Sequence, residues 1–217
     1  MDSLNELLNG NAQWAERIQT EDADFFHNLA NHQKPEVFLV GCSDSRVPVN
    51  QIVNARPGEI FVHRNIANLI KPSDANAMSA LHYAVESLHV RHIIICGHTN
   101  CGGVKAAWQQ EAQGAVDEWI EDIKIMISNH NEWVSEVPPD RQLDCWCELN
   151  VIDQVRKVAE VPVVQKRWDA GEELQVHGWV LALENGRLHL AQKPLPGNPS
   201  ARHAYEEAIE QLQRRFL

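Results

Sequence analysis

Two short clusters carry residue types that bind soft metals and move protons. Cys42-Ser43-Asp44-Ser45-Arg46 places a thiol, a carboxylate and a guanidinium at alternate positions. His98-Thr99-Asn100-Cys101 places an imidazole and a second thiol within one turn of chain. If the two clusters meet, Cys42, His98 and Cys101 offer two thiolates and one imidazole to a single ion. Three protein ligands with a fourth position open mark a catalytic zinc rather than a structural one. Such an ion lowers the pKa of bound water from about 16 towards roughly 7, so hydroxide forms near neutral pH. Two thiolates cancel the formal charge of the metal. The water should therefore be less acidic than on a three-histidine zinc, and activity should rise on the alkaline side.

Asp44 has two possible jobs beside such an ion. It can accept a hydrogen bond from the zinc-bound hydroxide, or it can bind the metal and close the site. A bidentate pair with Arg46 would hold it off. The plainer alternatives are a core cysteine beside a capping histidine, and a helix-capping Asp with a surface Arg.

Both clusters follow apolar runs. Residues 37–41 and the β-branched run Ile93-Ile94-Ile95 read as strands buried on both faces. Gly97 is expected to end the second, with Gly102 and Gly103 closing the turn that holds His98 and Cys101. Parallel neighbours would bring both clusters to one edge of an open α/β sheet, where ligands collect. A further strand is expected at 59–63 and another at 176–183. Asn185-Gly186 is a hairpin signal into an edge strand at 188–192. Helices are expected at 75–89, 103–110, 116–132, 140–159 and 202–215, with a short one between Pro48 and Pro57. The last alternates acid and base and reads as a solvated face. This alternation implies a mostly parallel central sheet with an antiparallel edge strand and helices on both faces. Residues 1–34 precede the first strand. A capping pattern, Ser3-Leu4-Asn5-Glu6, opens one helix there, and residues 22–31 form another. They form a helical arm in need of a surface to cover it, on a single domain whose α/β core spans 35–217.

Cys42-x-Asp44-x-Arg46 with His98-x-x-Cys101 resembles the β-class carbonic anhydrases. So does Pro57-Gly58-Glu59-Ile60-Phe61-Val62-His63-Arg64-Asn65-Ile66-Ala67-Asn68, and the likeness runs from about Leu4 to His177-Gly178-Trp179 and beyond. The resemblance implies one zinc per chain on Cys42, His98 and Cys101, with an Asp44–Arg46 dyad. The activity implied is reversible hydration of carbon dioxide to bicarbonate and a proton by a zinc-bound hydroxide. It implies a substrate pocket walled by Phe61, Ile66 and Tyr83, with donors from the Gly102 N–H and from Gln33 of a neighbouring subunit. It also implies a homodimer or dimer of dimers formed through the arm. Many bacterial members have a second, inhibitory bicarbonate pocket built from an Arg, a Trp and a Tyr. Here Arg64 is present, but the other two positions are Leu39 and Leu181.

Composition narrows the rivals. The chain has 217 residues, a net charge of −11 and five cysteines. A surplus of acid argues against a nucleic-acid or anionic-membrane binder. No apolar run approaches the roughly 20 residues that span a bilayer, and the N-terminus has no signal-peptide pattern. An odd number of irregularly spaced cysteines suggests free thiols and a cytoplasmic setting. Cys96, Cys145 and Cys147 read as packing, and His63, His82, His89 and His92 as surface residues. The same motif would serve hydrolysis of carbon disulfide or carbonyl sulfide. A non-catalytic zinc protein with Asp44 as fourth ligand is another alternative, against which Arg46 argues. A thiol enzyme fits poorly, because Arg46 lies too close to Cys42 for a phosphatase loop and no C-x-x-C is present.

Overall fold

The computed structural model describes residues 4–197 and 201–217. Five strands form one sheet: β1 (Val37–Cys42), β2 (Ile60–Asn65), β3 (His92–His98), β4 (Gln175–Ala182) and β5 (Arg187–Leu195). Their order is β2-β1-β3-β4-β5. The first four are parallel and β5 runs antiparallel to β4, as the hairpin signal requires. Asn185 and Gly186 lie in the turn. Gly186 adopts a left-handed φ of 71°, and Asn185 Oδ1 accepts from the Arg187 N–H at 2.9 Å. The mixed sheet places the ends of β1 and β3 side by side, with Gly41 opposite Cys96.

One face of this sheet carries the main core. Phe38 and Val40 of β1, Ile93 and Ile95 of β3, and Val176 and Val180 of β4 are all fully buried there. The long helix that covers them, α8 (Gln142–Ala159), follows seven others. Those are α1 (Leu4–Glu21), α2 (Phe25–Asn31), α3 (Val49–Ile52), α4 (Ala75–His82), α5 (Gly102–Gln109), α6 (Ala115–Trp119) and α7 (Glu121–Val134). Asp74 caps α4 by accepting from the Asn76 N–H at 3.0 Å, and a π-turn at Tyr83–Ser87 extends it. Every residue of α8 from Cys145 to Val155 is buried, including the polar Glu148, Asn150, Asp153 and Gln154, so the helix is enclosed more fully than an amphipathic pattern suggests. Two glycines let it approach the sheet. A Cβ on Gly97 would lie 2.4 Å from Val151 Cγ2, and one on Gly178 would lie 3.1 Å from both Val151 and Val155.

Four expectations change. Gly97 does not end β3, which runs on through His98, and Thr99 N–H still donates to Leu181 O at 3.0 Å. The glycine serves close packing, not chain reversal. The helix expected from Gly103 already starts at Gly102, which opens α5 instead of closing a turn. The helix α9 (Pro162–Asp169) was not expected. It is only eight residues long and starts on a proline, a residue suited to the first turn. The last helix, α10 (Ala201–Phe216), is not a purely solvated face. Ala208, Leu212 and Phe216 repeat every four residues and are buried. Glu148 of α8 ties this helix down, accepting from Arg215 Nη2 at 2.6 Å and from His189 Nε2 at 3.1 Å.

The chain divides into two compact units, the first ending at Lys34 and the second beginning at Pro35. In the first, Trp14 and Phe26 stack edge to face with centroids 5.7 Å apart. Leu4, Leu7 and Leu8 of α1 are exposed, and α2 begins at Phe25 rather than near Asp22. Ser3, the first residue of the expected capping pattern, lies outside the described residues.

The approach of α8 to Gly97 yields a stability test. Gly97→Ala forces a methyl into the rigid, β-branched Val151 on the core side of β3. Overpacking of this kind typically destabilises by about 1–3 kcal/mol. Urea unfolding should show a lowered midpoint with little change in slope, and an unchanged midpoint would contradict the packing described.

Candidate metal centre

Cys42 is the last residue of β1, His98 is the last of β3, and Cys101 immediately precedes α5. Because β1 and β3 are hydrogen-bonded parallel neighbours, their carboxyl ends deliver the three side chains to one point. The two sulfurs are 3.9 Å apart, and all three potential ligand atoms lie within 4.8 Å of one another. Among the described residues this is the group of that kind. All three residues are buried, with His98 fully so.

The donor set fits a cation. His98 Nδ1–H donates to its neighbour's carbonyl, Thr99 O, at 2.9 Å. That bond places a proton on Nδ1, so in the neutral ring Nε2 carries the lone pair available to a ligand. His98 Nε2 is buried and has no hydrogen-bond partner among the described residues. An unsatisfied buried polar atom costs about 1–3 kcal/mol, so its persistence points to a ligand. The thiols point the same way. Hydrogen bonding from Cys101 pulls the Cys42 thiol down, against burial and with help from the Asp44 and Ala67 N–H groups. The resulting bond to Cys42, together with burial, pushes Cys101 up. Ionisation of Cys42 is thus favoured and that of Cys101 opposed, and only a cation between the sulfurs lets both ionise.

Asp44 lies beside this cluster without joining it. Its Oδ2 is 3.7 Å from His98 Nε2. Arg46 grips the carboxylate on both oxygens, with Nε donating to Oδ1 at 2.9 Å and Nη2 to Oδ2 at 2.6 Å. The Arg46 backbone N–H adds a third bond to Oδ1 at 2.9 Å. The Arg46 guanidinium thus holds the Asp44 carboxyl well below the usual carboxylate range. Arg46 Nη2 also donates to Asn100 O, in the loop between His98 and Cys101, at 3.3 Å.

The residues named as substrate walls divide. Phe61 and Tyr83 face each other with centroids 5.7 Å apart, and Tyr83 is half-exposed. Ile66 packs over the start of α5, where a Cβ on Gly103 would meet Ile66 Cγ2 at 2.7 Å. A Cβ on Gly102 would meet nothing within 4 Å, so its backbone stands open. Gln33 is exposed and belongs to the N-terminal unit. Arg64 is committed elsewhere: its Nε donates to Cys42 O at 2.8 Å and its Nη2 to Asp44 O at 2.7 Å. Leu39 and Leu181 are buried. Of the histidines expected at the surface, His63 is instead buried on β2, and His92 Nδ1 lies 3.2 Å from His177 Nε2.

Several supporting residues had no sequence signal. Ala67 and Asn68 adopt left-handed φ values of 63° and 50°, rare for residues other than glycine. Asn150 Nδ2 holds Ala67 O at 3.0 Å, and Trp119 Nε1 holds Ile66 O at 2.9 Å. Asp144 of α8 accepts from the Asn100 N–H at 3.0 Å. These partners are distant in sequence, and none stands in a motif.

Residues 37–188 match a family model described as carbonic anhydrase. A carbonic anhydrase of Emericella nidulans is 39% identical over 194 residues, covering 89% of this chain and 85% of the relative. Among solved structures, a Coccomyxa β-carbonic anhydrase in complex with acetazolamide superposes with a TM-score of 0.88 at 35% identity, covering 97% of this chain and 98% of that one. A tetrameric β-carbonic anhydrase from Sordaria macrospora gives 0.85 at 32% identity, covering 90% and 100%.

Proposed function

The chain belongs to the β-class carbonic anhydrases and is an enzyme of reversible carbon dioxide hydration, and we propose that it works through one zinc ion held by Cys42, His98 and Cys101, with Asp44 and Arg46 as its catalytic dyad. The observation that carries the metal is the buried, partnerless His98 Nε2 facing two thiols 3.9 Å apart. Zinc bound there supplies a Lewis acid that brings the pKa of water from about 16 towards 7.

The chain's own groups do the rest. Asp44 is ionised and acceptor-only, so its Oδ2 would accept from a proton-bearing oxygen presented beside the cluster rather than donate to it. Arg46 keeps the carboxylate in that acceptor role by occupying both of its oxygens. Carbon dioxide is small, apolar and uncharged, which suits walls from Phe61, Ile66 and Tyr83 with few donors. The open Gly102 N–H is one donor, and Gln33 of a second copy is the other.

Zinc per chain and initial hydration rate, measured together, test this. The wild type should hold one zinc, and Cys101→Ala should lose both metal and rate. Arg46→Ala should keep the metal and lose rate, because Asp44 is then free to close on it. A fully active, fully loaded Cys101→Ala protein would refute the ligand set. Wild-type rates in Arg46→Ala would refute the dyad.

A homodimer or dimer of dimers follows from the arm. Leu4, Leu7 and Leu8 are 79%, 52% and 69% exposed in the isolated chain, a large apolar patch for a monomer. Deleting residues 1–31 should lower the mass seen by light scattering and the activity together. An active truncated monomer would rule the arm out. No helix among the described residues is long and apolar enough to cross a membrane. Five unbridged, buried cysteines support a reducing, cytoplasmic setting.

Inhibition by bicarbonate should be weak. Leu39 and Leu181 offer no donor, and two bonds of Arg64 already go to the loop carbonyls. Losing two neutral hydrogen bonds of about 0.5–1.5 kcal/mol each weakens binding by roughly 5- to 150-fold. The lowered pKa of Asp44 means that its ionised, Arg46-bound form persists through neutral pH and is lost only well into acid. Rate against pH and added bicarbonate should therefore show no steep cooperative loss just below neutrality. Such a loss, deepened by millimolar bicarbonate, would show that bicarbonate binds by other means.

A further inference from the structure

The Arg46–Asp44 pair raises a question of support. The Arg46 side chain is 50% exposed. Exposed ion pairs are weak, because water screens them and long side chains lose entropy in holding one geometry. A gate that must keep a carboxylate 3.7 Å from His98 Nε2 needs a firmer anchor than solvent offers. The anchor is Asn100 O, which accepts from the same Nη2 that binds Asp44 Oδ2.

Asn100 is itself held in an unusual way. Its φ of 53° is left-handed, a conformation that asparagine tolerates but does not strongly prefer. Its N–H donates to Asp144 Oδ1 at 3.0 Å. Asp144 lies in the first turn of α8, and the same helix presses Val151 against Gly97 of β3, immediately before His98. One rigid helix therefore packs on the strand that carries His98 and pins the loop that follows it. A chain of direct bonds runs from Asp144 to the Asn100 peptide, from Asn100 O to Arg46, and from Arg46 to Asp44.

Resting on the metal reading above, we infer that Asp144 is a positioning residue for the dyad: by fixing Asn100 it sets where Arg46 holds Asp44, and so keeps the fourth metal position open. Asp144 touches neither ligand nor substrate in this role. Its loss releases the Asn100 peptide, Arg46 loses its backbone anchor, and Asp44 gains the freedom to swing to the metal.

The test uses the full chain loaded with cobalt(II), whose visible spectrum reports ligands in the fourth position, and azide as the probe. In the wild type, azide binds the open position. Asp144→Ala should retain one cobalt per chain yet bind azide at least about tenfold more weakly, because Asp44 competes for the site and a ligand sees only the fraction that is open. Asp144→Asn keeps an acceptor oxygen for the Asn100 N–H and should restore azide affinity to within about twofold of the wild type. In an Asp44→Ala background, adding Asp144→Ala should change azide affinity by less than about twofold, since no carboxylate remains to close. If Asp144→Ala does not fold, Asp144→Leu keeps the volume without the acceptor and carries the same expectations.

The inference is overturned by an Asp144→Ala protein with wild-type azide affinity, by metal loss in that variant, or by failure of Asp144→Asn to rescue. An equal loss in the Asp44→Ala background would also overturn it, because Asp144 would then act on the metal loop as a whole. A wild type that binds no cobalt would remove the metal reading and this inference together. A wild type that binds cobalt and azide beside an unchanged Asp144→Ala removes the inference alone.

Discussion

Two buried thiols at 3.9 Å cannot both ionise without positive charge between them, and much of the site follows from that constraint. In the chain alone ionisation of Cys42 is favoured and that of Cys101 opposed, while His98 Nε2 is buried beside them with no hydrogen-bond partner among the described residues. A divalent cation would resolve all three demands at once. The Asp44 carboxylate lies 3.7 Å from His98 Nε2, beside the cluster. Three bonds from Arg46 hold it there and keep it ionised.

Such a cluster needs a rigid frame, which α8 and the sheet supply together. Glycines at 97 and 178 allow the helix to approach the strands closely, and Val151 fills the space above them. The same helix reaches out with polar side chains. Asn150 holds the carbonyl of left-handed Ala67, whose N–H faces the Cys42 sulfur, and Gln154 Oε1 accepts from the Ile70 N–H at 2.9 Å. Left-handed backbone costs non-glycine residues roughly 1–2 kcal/mol each, so these bonds have strain to offset. Strain held by buried partners beside a metal cluster is common where a backbone group must face a particular atom.

The opposite face of the sheet has a different character. Leu39, Ile94 and Cys96 are buried there with Val49 of α3, while Val37, Ile60, Val62, Trp179 and Leu188 are only partly covered. Leu190, paired with Trp179 across β4 and β5, is 52% exposed. The Trp179 indole N–H is buried without a partner among the described residues. The N-terminal unit meanwhile exposes three leucines from α1. These apolar surfaces agree with a protein that assembles, and tetrameric architecture is known for the Sordaria macrospora relative.

The sequence by itself pointed to the cluster of Cys42, His98 and Cys101, to the Asp44–Arg46 pair and to the sheet that carries them. Those features are local: β-branched runs make strands, and Cys-x-Asp-x-Arg and His-x-x-Cys each span a few residues. Strand positions at 37–41, 59–63, 93–95 and 176–183 agree with the structure to within a few residues, and for β1 and β3 burial on both faces leaves long apolar runs. Family resemblance, not periodicity, pointed to Phe61, Ile66, Tyr83 and Gln33. Only the tertiary structure decided what holds the site in place. Gly97 reads as a strand end until Val151 is seen above it, and α10 reads as solvated until Arg141 and Glu148 take up its C-terminal end and the core takes up its apolar stripe. Asp144, Asn150 and Trp119 bind backbone groups 44, 83 and 53 residues away. A hydrogen bond to a main-chain carbonyl or N–H asks nothing of the partner's side chain, so it leaves no mark in the residue types it joins and exists only once the chain has folded.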